Sequence, residues 1–191
     1  MKIKKCLSGV LAFAMVFNTG FANMQVAAAG GQQPAATQTE SQPEVVYVNS
    51  YDASQRCVSF NENWRFHLGE VNGAEAASYN DSSWNNVTLP HDYSIDQGFT
   101  TSAPAEQESG YVLGGTGWYR KAFTLSGDMR DKVISVDFDG VYMNATVYIN
   151  GVKLGTHPYG YTSFSFVLPN EHLKFGGEEN VISVKVEHKQ P

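Results

Sequence analysis

Cysteine is scarce in this sequence, with Cys6 and Cys57 the only two. Cys6 falls in an amino-terminal stretch expected to be removed, so the mature chain cannot close an intramolecular disulfide and must be held by packing. No second cysteine or histidine stands at metal-ligand spacing from Cys57, which makes it a candidate small core hydrophobe in the alternating stretch Arg56-Cys57-Val58-Ser59-Phe60. Positive charge is also sparse: 13 Lys and Arg face 19 Asp and Glu, a formal net charge of −6. Without Lys2, Lys4 and Lys5, 10 basic residues remain against 19 acidic ones, a balance near −9. No basic cluster is left, which excludes nucleic-acid binding by phosphate neutralisation. Nor is there an apolar run of the roughly 20 residues that crossing a bilayer requires. The longest, Cys6 to Phe17, is soon interrupted by Asn18, Asn23 and Gln25.

That short run has a different reading. Preceded by lysines and followed by the small residues Ala27-Ala28-Ala29, it has the layout of a secretory signal peptide over residues 1–29. The mature protein is therefore expected to be secreted, from a bacterium, with no membrane association after cleavage. Residues 30–45 are rich in Gln, Ala, Thr and Pro without apolar periodicity. They cannot bury enough surface to offset their ordering entropy and are expected to be a disordered linker. Residues 46–191 then form one domain.

Within that domain, helical periodicity is almost absent and period-2 alternation is frequent. Trp64, Phe66 and Leu68 alternate with Arg65 and His67, and Ile134, Val136 and Phe138 alternate with Ser135 and Asp137. Ala145, Val147 and Ile149 oppose Thr146 and Tyr148, and Ile182, Val184 and Val186 form a further inward set. Tyr119, Phe123 and Leu125 are expected inside, against Arg120 and Lys121 outside. Asn150-Gly151 between two such runs predicts a type I′ hairpin, because both residues tolerate positive φ. Asp139-Gly140 and Gly176-Gly177 mark further turns, and one helical turn is expected near Asn80 to Trp84. Evenly spaced short strands of this kind predict an all-β sandwich or barrel.

Four segments carry a more specific signal. They are Phe60-Asn61-Glu62-Asn63-Trp64-Arg65-Phe66; Ser83-Trp84 through Leu89-Pro90-His91-Asp92-Tyr93; Gly114-Gly115-Thr116-Gly117-Trp118-Tyr119-Arg120; and Phe138-Asp139-Gly140-Val141 through Val147-Tyr148-Ile149-Asn150-Gly151 to Tyr161-Thr162-Ser163-Phe164. Together, in this order, they resemble the N-terminal sugar-binding domain of glycoside hydrolase family 2, in its β-galactosidase-like branch. The resemblance implies a jelly-roll β-sandwich of the galactose-binding-domain type. It departs at Val167, where family members often carry an aspartate, a position expected to be structural.

Pro90 ends a strand, since it donates no ladder hydrogen bond, and His91-Asp92-Tyr93 then forms a polar corner. A carboxylate there can accept hydrogen bonds from adjacent sugar hydroxyls. The resemblance implies that Asp92 contacts the sugar of a β-galactoside or related carbohydrate, with His91 a second substrate-binding candidate; Asp capping its own turn is the competing role for that position. The stretch Gly98 to Gly117 reads as a long loop, either shaping the pocket or forming a surface excursion.

Catalysis in the family uses two glutamates on a (β/α)₈ barrel of about 250 residues. Glu106/Glu108 and Glu178/Glu179 stand in polar, Gly-rich surroundings that would not raise an acid's pKa. The chain is therefore expected to hold no catalytic residue, cofactor or metal, and to be inactive without the barrel as partner; the sequence does not reveal the metal requirement of the full enzyme. The alternative is a free-standing carbohydrate-binding module with no enzyme attached.

Overall fold

The computed structural model describes residues 49–54 and 56–188. The expected signal segment 1–29 and linker 30–45 lie outside the described residues.

Among the described residues are nine strands and one short α-helix: β1 (Asn49–Tyr51), β2 (Trp64–Leu68), β3 (Asn85–Val87), α1 (Tyr93–Asp96), β4 (Gly115–Leu125), β5 (Ile134–Phe138), β6 (Ala145–Ile149), β7 (Val152–His157), β8 (Phe164–Leu168) and β9 (Glu179–His188). The larger sheet has the order β3-β2-β4-β9-β6-β7, with β1 pairing parallel to the end of β4. The smaller sheet is the antiparallel pair β5-β8. The two sheets pack as an all-β sandwich, as the alternation predicts.

Alternation decides which side chains meet between them. From the large sheet, Trp64, Phe66, Tyr119, Phe123, Leu125, Val147, Ile149, Ile182 and Val184 enter the core; from the small sheet come Val136, Phe138 and Leu168. The outward residues of β8 include Val167, which is exposed, so an aspartate there would not enter the core. The hairpin at Asn150-Gly151 has φ of 49° and 87°, as a type I′ turn requires. Asn150 does more than turn the chain. Its Nδ2 donates to the His172 carbonyl at 2.7 Å and to Asn180 Oδ1 at 2.9 Å, and its Oδ1 accepts from Val181 N at 2.8 Å.

The opposite face of the large sheet is covered by the segment between β2 and β3. Trp118 packs there with Trp84 and Ala74, and Arg120 lies almost fully buried beneath it. Its Nε donates to Asp81 Oδ2 at 2.7 Å, and Nη1 donates to Ala76 O at 3.0 Å, to Ser183 Oγ at 3.1 Å and to Ala74 O. A buried guanidinium is tolerable because its donors are matched in this way.

Five expectations need correction. Arg120, expected outside, is buried on the opposite face of β4, where the β2–β3 segment covers it. Lys121 points inward, not outward: it occupies the same face of β4 as Tyr119 and Phe123, with Nζ 4.7 Å from the Phe60 ring centroid and donating to Glu62 O. Burial pushes its pKa down to about 8. Cys57 is exposed rather than buried, and no strand forms over 56–60. The flank of β4 is taken by β2 at Gly117–Arg120 and by β1 at Phe123–Leu125, and from this stretch Phe60 packs against the core. Around Asn80 to Trp84 there is a turn, closed by Trp84 N to Asp81 O at 2.9 Å, and no helix. The long loop also ends sooner than expected, since Gly115 to Gly117 belong to β4.

Two outcomes follow. Arg120→Ala leaves several buried carbonyls and Asp81 without their donor and should lower unfolding free energy by roughly 3 kcal/mol in denaturant titration. For Lys121, the folded state holds its proton less tightly than the unfolded chain. Between about pH 8 and pH 10 the unfolded state therefore binds more protons, and stability rises with pH. The melting temperature of the wild type should climb relative to Lys121→Met over that window, below the range in which tyrosines ionise.

Candidate functional site

The polar corner lies at one open end of the sandwich. After β3 the chain passes Leu89-Pro90 and enters α1, whose N-cap is Asp92: its Oδ1 accepts from Ser94 N at 2.9 Å. The capping role open for this position in the sequence is thus present, and it uses one carboxylate oxygen. The carboxylate remains exposed.

α1 is fastened to the sheet by the residues around it. Tyr93 stacks on Phe66 at 5.6 Å between centroids; its hydroxyl donates to Gly115 O at 3.1 Å and accepts from His188 N at 3.3 Å. This close approach requires glycine in β4, because a Cβ at Gly117 would lie 2.9 Å from the Tyr93 ring and 3.0 Å from Phe66. Burial pushes the Tyr93 hydroxyl pKa up to about 12 and that of Tyr119 higher still, so both remain neutral donors.

His91 sits behind the aspartate, not beside it in solvent. Its ring packs on Phe66 at 4.7 Å, Nδ1 pairs with the Tyr119 hydroxyl at 2.8 Å, and Nε2 pairs with Asp96 at 2.8 Å. Both ring nitrogens are engaged. His91 therefore holds the corner in place instead of offering a free group to a ligand.

In front of this corner lies a cavity of about 490 Å³, within the size range of small-molecule sites. Its floor is formed by Tyr119, Val141 and Val186, and its walls include His91, Asp92, Ser94, Tyr142 and His188. A second cavity, of about 500 Å³, opens between the sheets near β5 and is lined largely by core side chains such as Phe123, Leu125 and Ile182. Its rim also carries Tyr51, Arg56, Lys132, Ser135 and Asp137; the corner cavity is the candidate because His91 and Asp92, the two residues the sequence singles out, both line it. Among the described residues, no group of three His, Cys, Asp or Glu could hold a metal ion.

Sequence reasoning located Asp92 and His91 in one place but missed Ser94, Tyr142 and His188. For His188 a signal existed: Ile182, Val184 and Val186 are inward, and continuing that alternation puts a polar side chain on the inner face at the rim of the sheet. Tyr142 lies in an irregular segment after Val141, where no periodicity can place it.

Relatives support the same architecture. Residues 74–191 match the family described as the β-galactosidase second all-beta domain. A β-galactosidase of Bacteroides ovatus is 44% identical over 131 residues, covering 69% of this chain and 15% of that protein. A β-glucuronidase of Formosa agariphila is 39% identical over 129 residues, covering 67% of this chain and 13% of the other. The crystal structure of a glycosyl hydrolase family 2 member from Bacteroides cellulosilyticus superposes with a TM-score of 0.66 at 40% identity, over 69% of this chain and 18% of that one. The chain thus spans less than a fifth of the length of these relatives. With the sandwich in hand and the family match covering more than half of the sequence, this chain belongs to the β-galactosidase second all-beta domain family and is an all-β domain of the glycoside hydrolase family 2 type.

Proposed function

We propose that this chain is the N-terminal carbohydrate-binding domain of a secreted, β-galactosidase-like glycoside hydrolase, and that Asp92 is its sugar contact. The observation that carries the reading is the exposed Asp92 carboxylate at a cavity of about 490 Å³, with one oxygen committed to the α1 cap. The cap fixes the side chain, so accepting hydrogen bonds from a sugar hydroxyl costs little additional ordering. His91 acts by holding this corner against Tyr119 and Phe66.

A neutral sugar suits the cavity better than a uronate. Asp92 lines it, and among the described residues that line it there is no lysine or arginine, so a ligand carboxylate would meet like charge from Asp92 without a compensating cation from them. This favours a β-galactoside ligand, although relatives include enzymes of both the galactosidase and glucuronidase kinds. Hydrolysis with retention needs two carboxyls about 5–5.5 Å apart, and in this reading a catalytic barrel supplies them. Secretion rests on the signal-like pattern of residues 1–29.

Titrating residues 30–191 with methyl β-galactoside by calorimetry tests the reading. Saturable binding is expected, with Asp92→Asn weakening it roughly ten- to hundred-fold through loss of a charge-assisted hydrogen bond; equal affinity in the variant would refute the role of Asp92. Methyl β-glucuronide should bind more weakly than the galactoside. No turnover of a chromogenic β-galactoside is expected from this chain.

A further inference from the structure

The polar groups lining the corner cavity are not equally available to a ligand. Both ring nitrogens of His91 are paired, with the Tyr119 hydroxyl and with Asp96. The Tyr119 hydroxyl is occupied by that contact, and the Tyr93 hydroxyl by Gly115 O and His188 N. Ser94 is buried, and its Oγ pairs with His188 Nδ1 at 3.0 Å. Among the described residues, what remains is the second oxygen of Asp92, the hydroxyl of Tyr142 and Nε2 of His188.

Of these, His188 is held most tightly. It ends β9 on the inner face, opposite Gly115 of β4. Its backbone N–H is tied to Tyr93, its Nδ1 to Ser94, and its ring stands edge-on to Tyr142 at 5.1 Å between centroids. Ser94 thus links the two sides of the cavity: its backbone N–H fixes Asp92, and its hydroxyl fixes His188.

We propose that His188 is a second sugar-binding residue of this cavity, oriented by Ser94, and that it pairs through Nε2 with a hydroxyl neighbouring the one held by Asp92. This rests on the carbohydrate reading of the preceding subsection. The chemistry of the two groups is complementary. An ionised aspartate only accepts hydrogen bonds, whereas a neutral imidazole presents a donor or an acceptor according to its tautomer, which the bond of the other nitrogen selects. Burial lowers the His188 pKa, with the nearby Asp92 charge opposing that shift, and the ring is therefore neutral at pH 7. A neutral group suits a hydroxyl, while Tyr142 at the rim offers an apolar ring face to the sugar's C–H surface. Ser94 is a positioning residue in this scheme.

The test uses the secreted chain with methyl β-galactoside as probe, followed by NMR of the histidine ring nitrogens and by affinity measurement. Addition of the sugar should shift the His188 Nε2 signal while leaving those of His91 nearly unchanged. His188→Phe should weaken binding roughly three- to ten-fold, the contribution of one neutral hydrogen bond. His188→Gln should recover part of that loss, and Ser94→Ala should weaken binding while altering the His188 titration curve. A purely structural role would move neither the sugar-induced signal nor the recovery by glutamine. If Asp92→Asn loses affinity but His188→Phe binds like the wild type, with no shift at Nε2, the inference is overturned and the role of Asp92 stands. If the wild type shows no binding, or if Asp92→Asn binds equally well, the underlying reading fails and the inference fails with it.

Discussion

Strand β4 has to bury both of its faces, and the rest of the molecule is arranged around that demand. Its odd-numbered residues, Tyr119, Lys121, Phe123 and Leu125, face the smaller sheet, while Trp118 and Arg120 face the segment that links β2 to β3. One face is therefore apolar apart from a single ammonium, and the other is built on a guanidinium. The apolar face stabilises by removing area from water. The opposite face depends on directional bonds from Arg120, whose desolvation is offset by Asp81 and by the carbonyls of Ala74, Ala76 and Tyr79. Charge buried in this way is tolerated only while every partner stays in place.

The corner cavity inherits its geometry from the same strand. Tyr119 binds His91, Gly117 leaves room for Tyr93, and Gly115 accepts from the Tyr93 hydroxyl. Three positions of β4 on one face thus set where α1 lies, and α1 sets where Asp92 lies. The far side of the cavity belongs to β9, the ladder neighbour of β4 across ten residue pairs. A site built on two strands so extensively paired is held more rigidly than one built on loops alone.

Much of this was legible in the sequence, because period-2 alternation reports directly on which residues share a face. The inward sets of β5, β6 and β9 and the Asn150-Gly151 turn follow that pattern. Alternation itself puts Lys121 on the face of Tyr119, Phe123 and Leu125; its charge argues for the outside, and the carbonyl partner that permits burial, Glu62 O, is distant along the chain. Alternation misled at Cys57, where a strand-like pattern forms no strand and the side chain stays in solvent. At the site, Asp92 and His91 could be located from the residues around Pro90, but their division of labour could not. That division arises from contacts with Phe66 and Tyr119, which only the folded chain brings near. His188 was foreshadowed by the inward series of β9, and Tyr142 by nothing in its local pattern.

The account turns on the cavity beside Asp92 being where sugar binds. The most direct measurement is a crystal structure of the chain soaked with a β-galactoside. The account predicts a pyranose ring in the space between Asp92, Tyr142 and His188, with a hydroxyl bonded to the Asp92 carboxylate. A ring bound instead in the opening between the sheets near Phe123 and Ile182, or turned so that Asp92 touches nothing, would contradict it.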